Sequence, residues 1–248
     1  MKSTSAVALI LGMWVFSGWG WGVAQAAEPS LGSSFEELCQ KKASLSAEAR
    51  KTVEVLLKAA GTSDCEQAAE NLLSRTELSL SGYQITDVSP LAGLPNLEVL
   101  YLRDNQITDV SPLVKLTKIN CLVLGNNQIT DVSPLARLTT LIQLYLGGNQ
   151  ITDVSPLAEL TNLEDLGIPA NPITDISPLA ELTNLESLIL IANPISDFSP
   201  LLKFTNLQFL YVGNNQITDV SLLTELQNRM FVTYIQGDPV AEPTCQIN

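Results

Sequence analysis

The sequence predicts an α/β solenoid: stacked units that each contribute a short strand and a short 3-10 segment, behind a helical N-terminal cap. Two features predict it. The segment NQITDVSPL occurs three times without change, at 22-residue intervals that start at Asn105. Seven apolar columns follow the same period from Leu78 to Phe231, and only Arg229 breaks them. One such unit cannot bury its own apolar side chains, so neighbouring units must stack around a continuous core.

The N-terminus has the pattern of a secretory signal peptide. Lys2 precedes an apolar run at 6–16, and Ala24-Gln25-Ala26 offers a small-residue cleavage site. An uncleaved membrane anchor is the alternative, because 6–24 contains no charged residue. We divide the chain into a signal peptide at 1–26, a helical cap at 27–76, a repeat domain at 77–236 with seven 22-residue repeats and a partial C-terminal repeat, and a tail at 237–248.

Three helices are predicted in the cap. The residues at 34–37 form a capping box that begins the first helix, and a second box at 63–66 begins the third. Between them, the apolar residues at 53–60 fall on one face of a helix that Gly61 terminates. A solenoid needs such a cap, because its first repeat has no neighbour on one side.

Within each repeat, two leucine-type positions predict a short strand, and an asparagine follows it. The asparagine column, which begins at Asn105, is expected to point inward and satisfy backbone groups where the chain leaves the strand. An Asp column and a Ser-Pro pair come next, as in Asp109 and Ser111-Pro112. Serine is a good N-cap and proline suits the first helical position, so a short 3-10 segment is predicted there.

The aspartate column has two interpretations. Each carboxylate can cap its own turn through backbone N–H groups. Alternatively, stacked carboxylates about 5 Å apart could hold Ca²⁺. Only one carboxylate recurs per turn, whereas a Ca²⁺ site combines several ligands from one loop. The pattern therefore favours capping.

The repeat pattern LxxLxLxxNxIxDxSPLxxLxx resembles the 22-residue leucine-rich repeat of the internalin type. The cap segments SFEELCQKK, TVEVLLKAAG and DCEQA are similar to the helical cap of secreted bacterial internalin-like proteins, especially cyanobacterial ones. This resemblance implies a curved, horseshoe-like solenoid with a parallel β-sheet on the concave face and 3-10 segments on the convex face. It also implies secretion and binding to other proteins. We expect a secreted, periplasmic or cell-envelope location.

Four cysteines follow the signal segment. Cys39 and Cys65 lie in the first and third predicted helices, and we expect them to form a disulfide. Cys121 lies in the repeats and is predicted to be a free thiol, unless the tail folds back and pairs it with Cys245.

The residues that flank the inward leucines should point out of the concave sheet, because side chains alternate along a strand. They vary between repeats and include an apolar and aromatic stripe, which favours a binding surface. The β-propensity of Tyr, Val and Ile could also explain this stripe. Glycines at 125, 147 and 213 should leave the neighbouring column shallow. The candidate partner-binding residues are Val99, Tyr101, Arg103, Val123, Gln143, Tyr145, Asp165, Ile189, Ile191, Phe209 and Tyr211.

Charge and composition limit the classes of function. The net charge is −13, which argues against nucleic acid as a partner. The chain contains no histidine and no catalytic or metal-binding motif, so we expect neither enzymatic activity nor a cofactor or metal. We expect a monomer that binds a protein partner with its concave face and has no membrane span after signal removal. The alternatives are an inhibitory or stabilising subunit of a secreted enzyme, or a self-associating surface component.

Overall fold

The computed structural model describes residues 34–217, 221–222, 224–225, 233–234 and 245. The predicted signal peptide, the break at Arg229 and all of the predicted tail except Cys245 lie outside these residues. Within them, three helices precede a series of short strands and 3-10 segments that alternate along the chain. No helix of this described part combines the length and apolar character that a bilayer crossing needs.

The three predicted cap helices are present. They are α1 (Phe35–Gln40), α2 (Ala47–Ala60) and α3 (Cys65–Leu73). The Ser34 side chain caps α1 by accepting a hydrogen bond from the Glu37 N–H. Gly61 ends α2 in the left-handed conformation, with φ of 76°. The second capping box was wrong by one residue, because the α3 cap is Asp64 rather than Ser63, and its carboxylate accepts the Gln67 N–H at 2.9 Å.

A disulfide links two helices of the cap, and polar contacts join the cap to the first repeat. The expected disulfide between Cys39 and Cys65 is present, with their Cα atoms 5.6 Å apart. The buried Thr52 hydroxyl on α2 donates to the Asp87 carbonyl of the first repeat at 2.7 Å. Lys51 Nζ donates to the Gln84 carbonyl at 2.7 Å. These contacts fix the orientation of α2 against the end of the stack.

The strands form one parallel sheet in chain order. They are β1 (Glu77–Ser79), β2 (Val99–Tyr101), β3 (Cys121–Val123), β4 (Gln143–Tyr145), β5 (Asp165–Gly167), β6 (Ser187–Ile189), β7 (Phe209–Tyr211) and β8 (Thr233–Tyr234). Through β7, each residue pairs with the residue 22 positions later, as Leu78 does with Leu100. The final coil is longer, because Leu210 pairs with Tyr234. The predicted period therefore sets the sheet register until the last coil.

Six 3-10 segments lie on the side opposite the sheet. They span Ser89–Gly93, Ser111–Lys115, Ser133–Arg137, Ser155–Glu159, Ser177–Glu181 and Ser199–Lys203. The predicted segment type and the proline near its start are confirmed, but the predicted serine cap is wrong. An aspartate two residues earlier provides the acceptor instead: Asp109 Oδ1 accepts the Ser111 N–H at 2.8 Å. The same bond recurs through Asp197, which supports capping as the role of this column.

The predicted asparagine column is confirmed as a buried ladder that links successive coils. Asn127 Nδ2 donates to the Leu124 carbonyl of its own coil and the Leu102 carbonyl of the preceding coil. Its Oδ1 accepts the N–H of Ile107, also in the preceding coil, at 3.0 Å. The amide thus satisfies backbone groups that the apolar core removes from water. The surrounding leucine and isoleucine columns are buried from Leu78 to Leu210, and Ile217 at the end of the described stack is partly buried.

A second recurrent backbone feature lies one position before each asparagine of the ladder and, in the first repeat, before Tyr83. Residues at this position have φ between +52° and +77°, in the left-handed region. They are Gly82, Asp104, Asn126, Gly148, Ala170, Ala192 and Asn214. Glycine, asparagine and aspartate tolerate this conformation, whereas the Cβ of alanine makes it unfavourable. Sequence reasoning missed this column, although its Gly/Asn/Asp composition was the available signal.

Candidate partner-binding surface

The outward side of the sheet is the concave face, and its side chains fall into two parts with different exposure. The covered cluster comprises Val99, Cys121 and Val123, with Tyr101 and Tyr145 packed against it. The open patch comprises Ile189, Phe209 and Tyr211 on β6 and β7. The sequence predicted one continuous exposed stripe, so the division into two parts is a correction.

In the covered cluster, side chains that the alternation places outside the core are nevertheless buried. Val99 is 0% exposed, Cys121 is 2% exposed and Val123 is 3% exposed. They lie side by side, because Val99 pairs with Cys121 in the β2–β3 register. The predicted exposure of Val99 and Val123 is therefore wrong: tyrosine side chains and a distant cysteine pack over them.

That distant cysteine is Cys245, which forms a disulfide with Cys121 across a sequence separation of 124 residues. Among the two readings of Cys121, the free thiol is thus wrong and pairing with Cys245 is confirmed. The Cys245 backbone N–H also donates to the Tyr101 hydroxyl at 3.3 Å. An even number of cysteines in a chain predicted to be exported was the signal that favoured complete pairing.

Tyr145 has a structural role as well as a position on the concave face. Its side chain lies over Gly167, where an added Cβ would come within 2.8 Å of Tyr145 Cδ1. Burial raises the pKa of the Tyr145 hydroxyl well above its ordinary value, and the nearby Asp165 and Tyr101 add to the shift. Tyr145 therefore stays neutral at physiological pH. A substitution here would disturb packing and could not probe binding alone.

Polar candidates on the concave face are engaged in cross-strand and local pairs. Gln143 is buried rather than exposed, because its Nε2 reaches across to Asp165 Oδ2 at 2.8 Å. Arg103 Nε lies 3.3 Å from Asp104 Oδ2 in a partly exposed ion pair. Asn126 Nδ2 also donates to Asp104 Oδ1 at 2.7 Å. These contacts hold the middle of the face in a defined arrangement.

Two expectations are wrong for the outward column next to the tyrosines, to which Gly147 and Ile191 belong. Gly147 does not leave a shallow space, because the Pro169 side chain fills it, with Pro169 Cγ only 2.7 Å from an added Cβ. Ile191 is buried rather than part of the exposed stripe. Its carbonyl accepts hydrogen bonds from the Ala170 N–H at 2.8 Å and Asn193 Nδ2 at 3.3 Å, so it lies within a bonded turn.

The open patch keeps the exposure that the sequence predicted. Phe209 is 46% exposed, and an exposed apolar side chain is informative when it belongs to a contiguous apolar patch. Tyr211 and Ile189 are half-buried and directly opposite each other in the β6–β7 register. Phe209 lies two residues before Tyr211 on the same face. The three side chains therefore form one accessible apolar area toward the C-terminal end of the described stack.

The described residues bring together no group of three or more His, Cys, Asp or Glu side chains that could hold a metal ion. The aspartates of the repeat column instead bond to their own turns. Hydrogen bonds from the Ser155 N–H and hydroxyl lower the pKa of Asp153, and those from Ser199 lower the pKa of Asp197. These carboxylates are thus occupied as turn caps.

The repeats match a family model described as leucine-rich repeats in two copies. The matched residues are 76–113, 95–137, 139–181 and 183–228. No curated protein matches the chain.

Solved structures similar to the chain include two internalins from Listeria monocytogenes. Internalin InlF has 40% identity and a TM-score of 0.63, over 67% of this chain and 49% of that chain. Internalin C2 also has 40% identity, with a TM-score of 0.57, over 73% of this chain and 91% of that chain. A leucine-rich repeat protein of Leptospira interrogans shares the fold at 23% identity and a TM-score of 0.54, over 67% of this chain and 50% of that chain. The chain thus spans about half the length of the InlF structure.

Proposed function

We propose that this chain, which belongs to the leucine-rich repeat family and is internalin-like, is a secreted, non-enzymatic protein-binding module. It recognises a partner protein with the concave face of its repeats. The open patch at Phe209 supports this proposal most directly, because exposed aromatic side chains on a rigid sheet are typical of binding sites.

Recognition is centred on the C-terminal half of the concave face. There Ile189, Phe209 and Tyr211 offer apolar area that a partner can remove from water. Half-buried Asp165 lies on the same face of the sheet, two strands from Phe209 and next to Ser187 in the register. Together with the net charge of −13, this arrangement suits a partner with an apolar centre and a basic rim.

Export is the second part of the proposal. The signal-like segment at 1–26 supports it, and so do two disulfides among the described residues. Disulfides persist in oxidising compartments and are rare in reducing ones. We therefore place the function in the periplasm, the cell envelope or the extracellular medium.

The test is partner capture with the purified chain from the envelope and growth medium of the source organism. Phe209→Ser should reduce the recovery of a specific partner at least about tenfold, because central aromatic anchors contribute about 2 kcal/mol or more to binding. Leu73→Ser is the matched control, since Leu73 is 39% exposed but lies on cap helix α3. Equal recovery with wild type, Phe209→Ser and Leu73→Ser would show that the open patch does not bind the partner.

A further inference from the structure

The side chains of the covered cluster lie on the outward side of the sheet but are buried from solvent. Val99, Cys121 and Val123 form an apolar group separate from the core between the sheet and the 3-10 segments. Their strands direct them toward the concave side, where a parallel sheet of this kind would otherwise leave them in contact with solvent. Burial on this side requires something that lies on the sheet.

Cys245 identifies the occupant as a part of the same chain. It packs against the covered cluster, is bonded to Cys121, and donates its backbone N–H to Tyr101. These three contacts are of different kinds, and all reach the same two strands, β2 and β3. Cys245 is thus fixed on the sheet by apolar, polar and covalent contacts.

The chain is long enough to reach this position. Tyr234 on β8 lies five strands from β3 in the sheet order, which is about 24 Å at the usual strand spacing. Eleven residue steps separate Tyr234 from Cys245. They can span up to about 36–40 Å when extended, so the return to β3 needs no distortion of the stack.

We propose that the covered cluster is a docking site for the chain's own Cys245, and that thiol–disulfide exchange at Cys121–Cys245 releases Cys245 from it. The released site presents Val99, Val123 and the two tyrosines as a second apolar patch. The concave face then has two accessible areas rather than one.

The exchange requires a dithiol reductant of the thioredoxin class. Its thiolate attacks Cys245 Sγ, because Cys245 is partly exposed whereas Cys121 is 2% exposed. A mixed disulfide forms with Cys245, and Cys121 leaves as a thiolate that takes up a proton. The second thiol of the reductant then attacks the mixed disulfide, which frees the Cys245 thiol. The protein disulfide is reduced and the dithiol becomes a disulfide.

Hydroxyl-radical footprinting of the full chain, read by mass spectrometry, tests this proposal. In Cys245→Ser, modification of Tyr101 and Tyr145 should rise at least about threefold over the oxidised wild type, while Tyr211 in the open patch stays unchanged as an internal reference. Far-ultraviolet circular dichroism and an intact Cys39–Cys65 disulfide confirm that the variant is folded.

The wild type can also be footprinted before and after treatment with a dithiol. This comparison tests the proposal without relying on the Cys245→Ser variant. Peptide mapping should find Cys121 joined to Cys245 before treatment and both as thiols afterward, with the same rise at Tyr101 and Tyr145. A free Cys121 thiol in the untreated protein would overturn the proposal. So would an unchanged tyrosine footprint after reduction or in Cys245→Ser.

Discussion

At the scale of single residues, the repeated positions and the variable positions have different tasks. Each asparagine of the ladder bonds to backbone groups in two coils, so its side chain can be replaced only at a cost to stability. The outward residues of the strands have no such shared requirement, and they differ from repeat to repeat. The repeated segment is therefore the scaffold, and in the proposed function recognition depends on the variable residues just before it.

The asparagine ladder gives the first prediction. Asn149→Ala removes hydrogen bonds to the Leu124 and Leu146 carbonyls and leaves the buried Ile129 N–H without its acceptor. We expect the free energy of unfolding to fall by about 3 kcal/mol, because several buried backbone groups lose their partners. Urea denaturation measures this loss. Gln150→Ala, at an exposed neighbouring position, is the control and should change stability little.

The left-handed column gives a pair of substitutions with opposite expected signs. Ala170 has φ of 52°, so Ala170→Gly should relieve backbone strain and stabilise the fold by roughly 0.5 kcal/mol after the entropic cost of glycine is subtracted. Gly148→Ala should destabilise it by about 1–2 kcal/mol, because the new Cβ would meet Asn126 Oδ1. Thermal unfolding of both variants measures these changes. Melting temperatures that shifted in the same direction relative to wild type would disprove this account.

At the scale of elements, each 3-10 segment begins at a turn held by a carboxylate. Serine hydrogen bonds lower the folded-state pKa of Asp131, Asp153 and Asp197 below the ordinary value of 3.8. A carboxyl with a lowered folded pKa contributes stability that is present above its unfolded pKa. This contribution is lost as the pH falls through the folded pKa.

Replacing these three aspartates by asparagine tests the charge alone, since asparagine keeps a side-chain acceptor. We expect the triple variant to be less stable than wild type at pH 7. The difference should shrink as the pH falls below about 4, because the wild-type carboxylates then become protonated. Denaturant titrations between pH 7 and pH 2 measure it. If the difference in the free energy of unfolding between the two proteins stayed constant over this pH range, the capping role would be contradicted.

The elements also show what the sequence could predict and why. The period of 22 predicted the core, the strands and the asparagine ladder, because each coil has the same neighbours and so imposes the same requirement on each position. The serine cap was wrong because the geometry of a 3-10 turn places the earlier Asp109 carboxylate, not the Ser111 hydroxyl, beside the orphan N–H. The longer last coil was missed because its extra residues follow no repeat.

At the scale of the whole molecule, prediction fails where distant parts of the chain meet. Val99 and Val123 have the spacing of exposed strand residues, yet Cys245 and the tyrosines cover them. The alternation of a strand contains no information about a segment more than a hundred residues away. The open patch was predictable because no described segment lies over Phe209, so its exposure follows from the strand alone.

The disulfide between Cys121 and Cys245 joins the third strand to the C-terminal segment, so it constrains about half of the chain in the unfolded state. A loop of this length corresponds to about 5 kcal/mol on the chain-entropy model. The cap, with its own disulfide, covers the N-terminal end of the stack. Both disulfides are links that the repeats themselves do not provide.

The central claim is that different residues carry the scaffold and the recognition. The most direct measurement compares partner affinity and the free energy of unfolding for Asn149→Ala and Phe209→Ser under conditions where both are folded. The account predicts that Asn149→Ala loses stability and keeps its affinity, while Phe209→Ser keeps its stability and loses affinity at least about tenfold. A Phe209→Ser protein that binds as wild type does, or an Asn149→Ala protein that is folded but no longer binds, would contradict it.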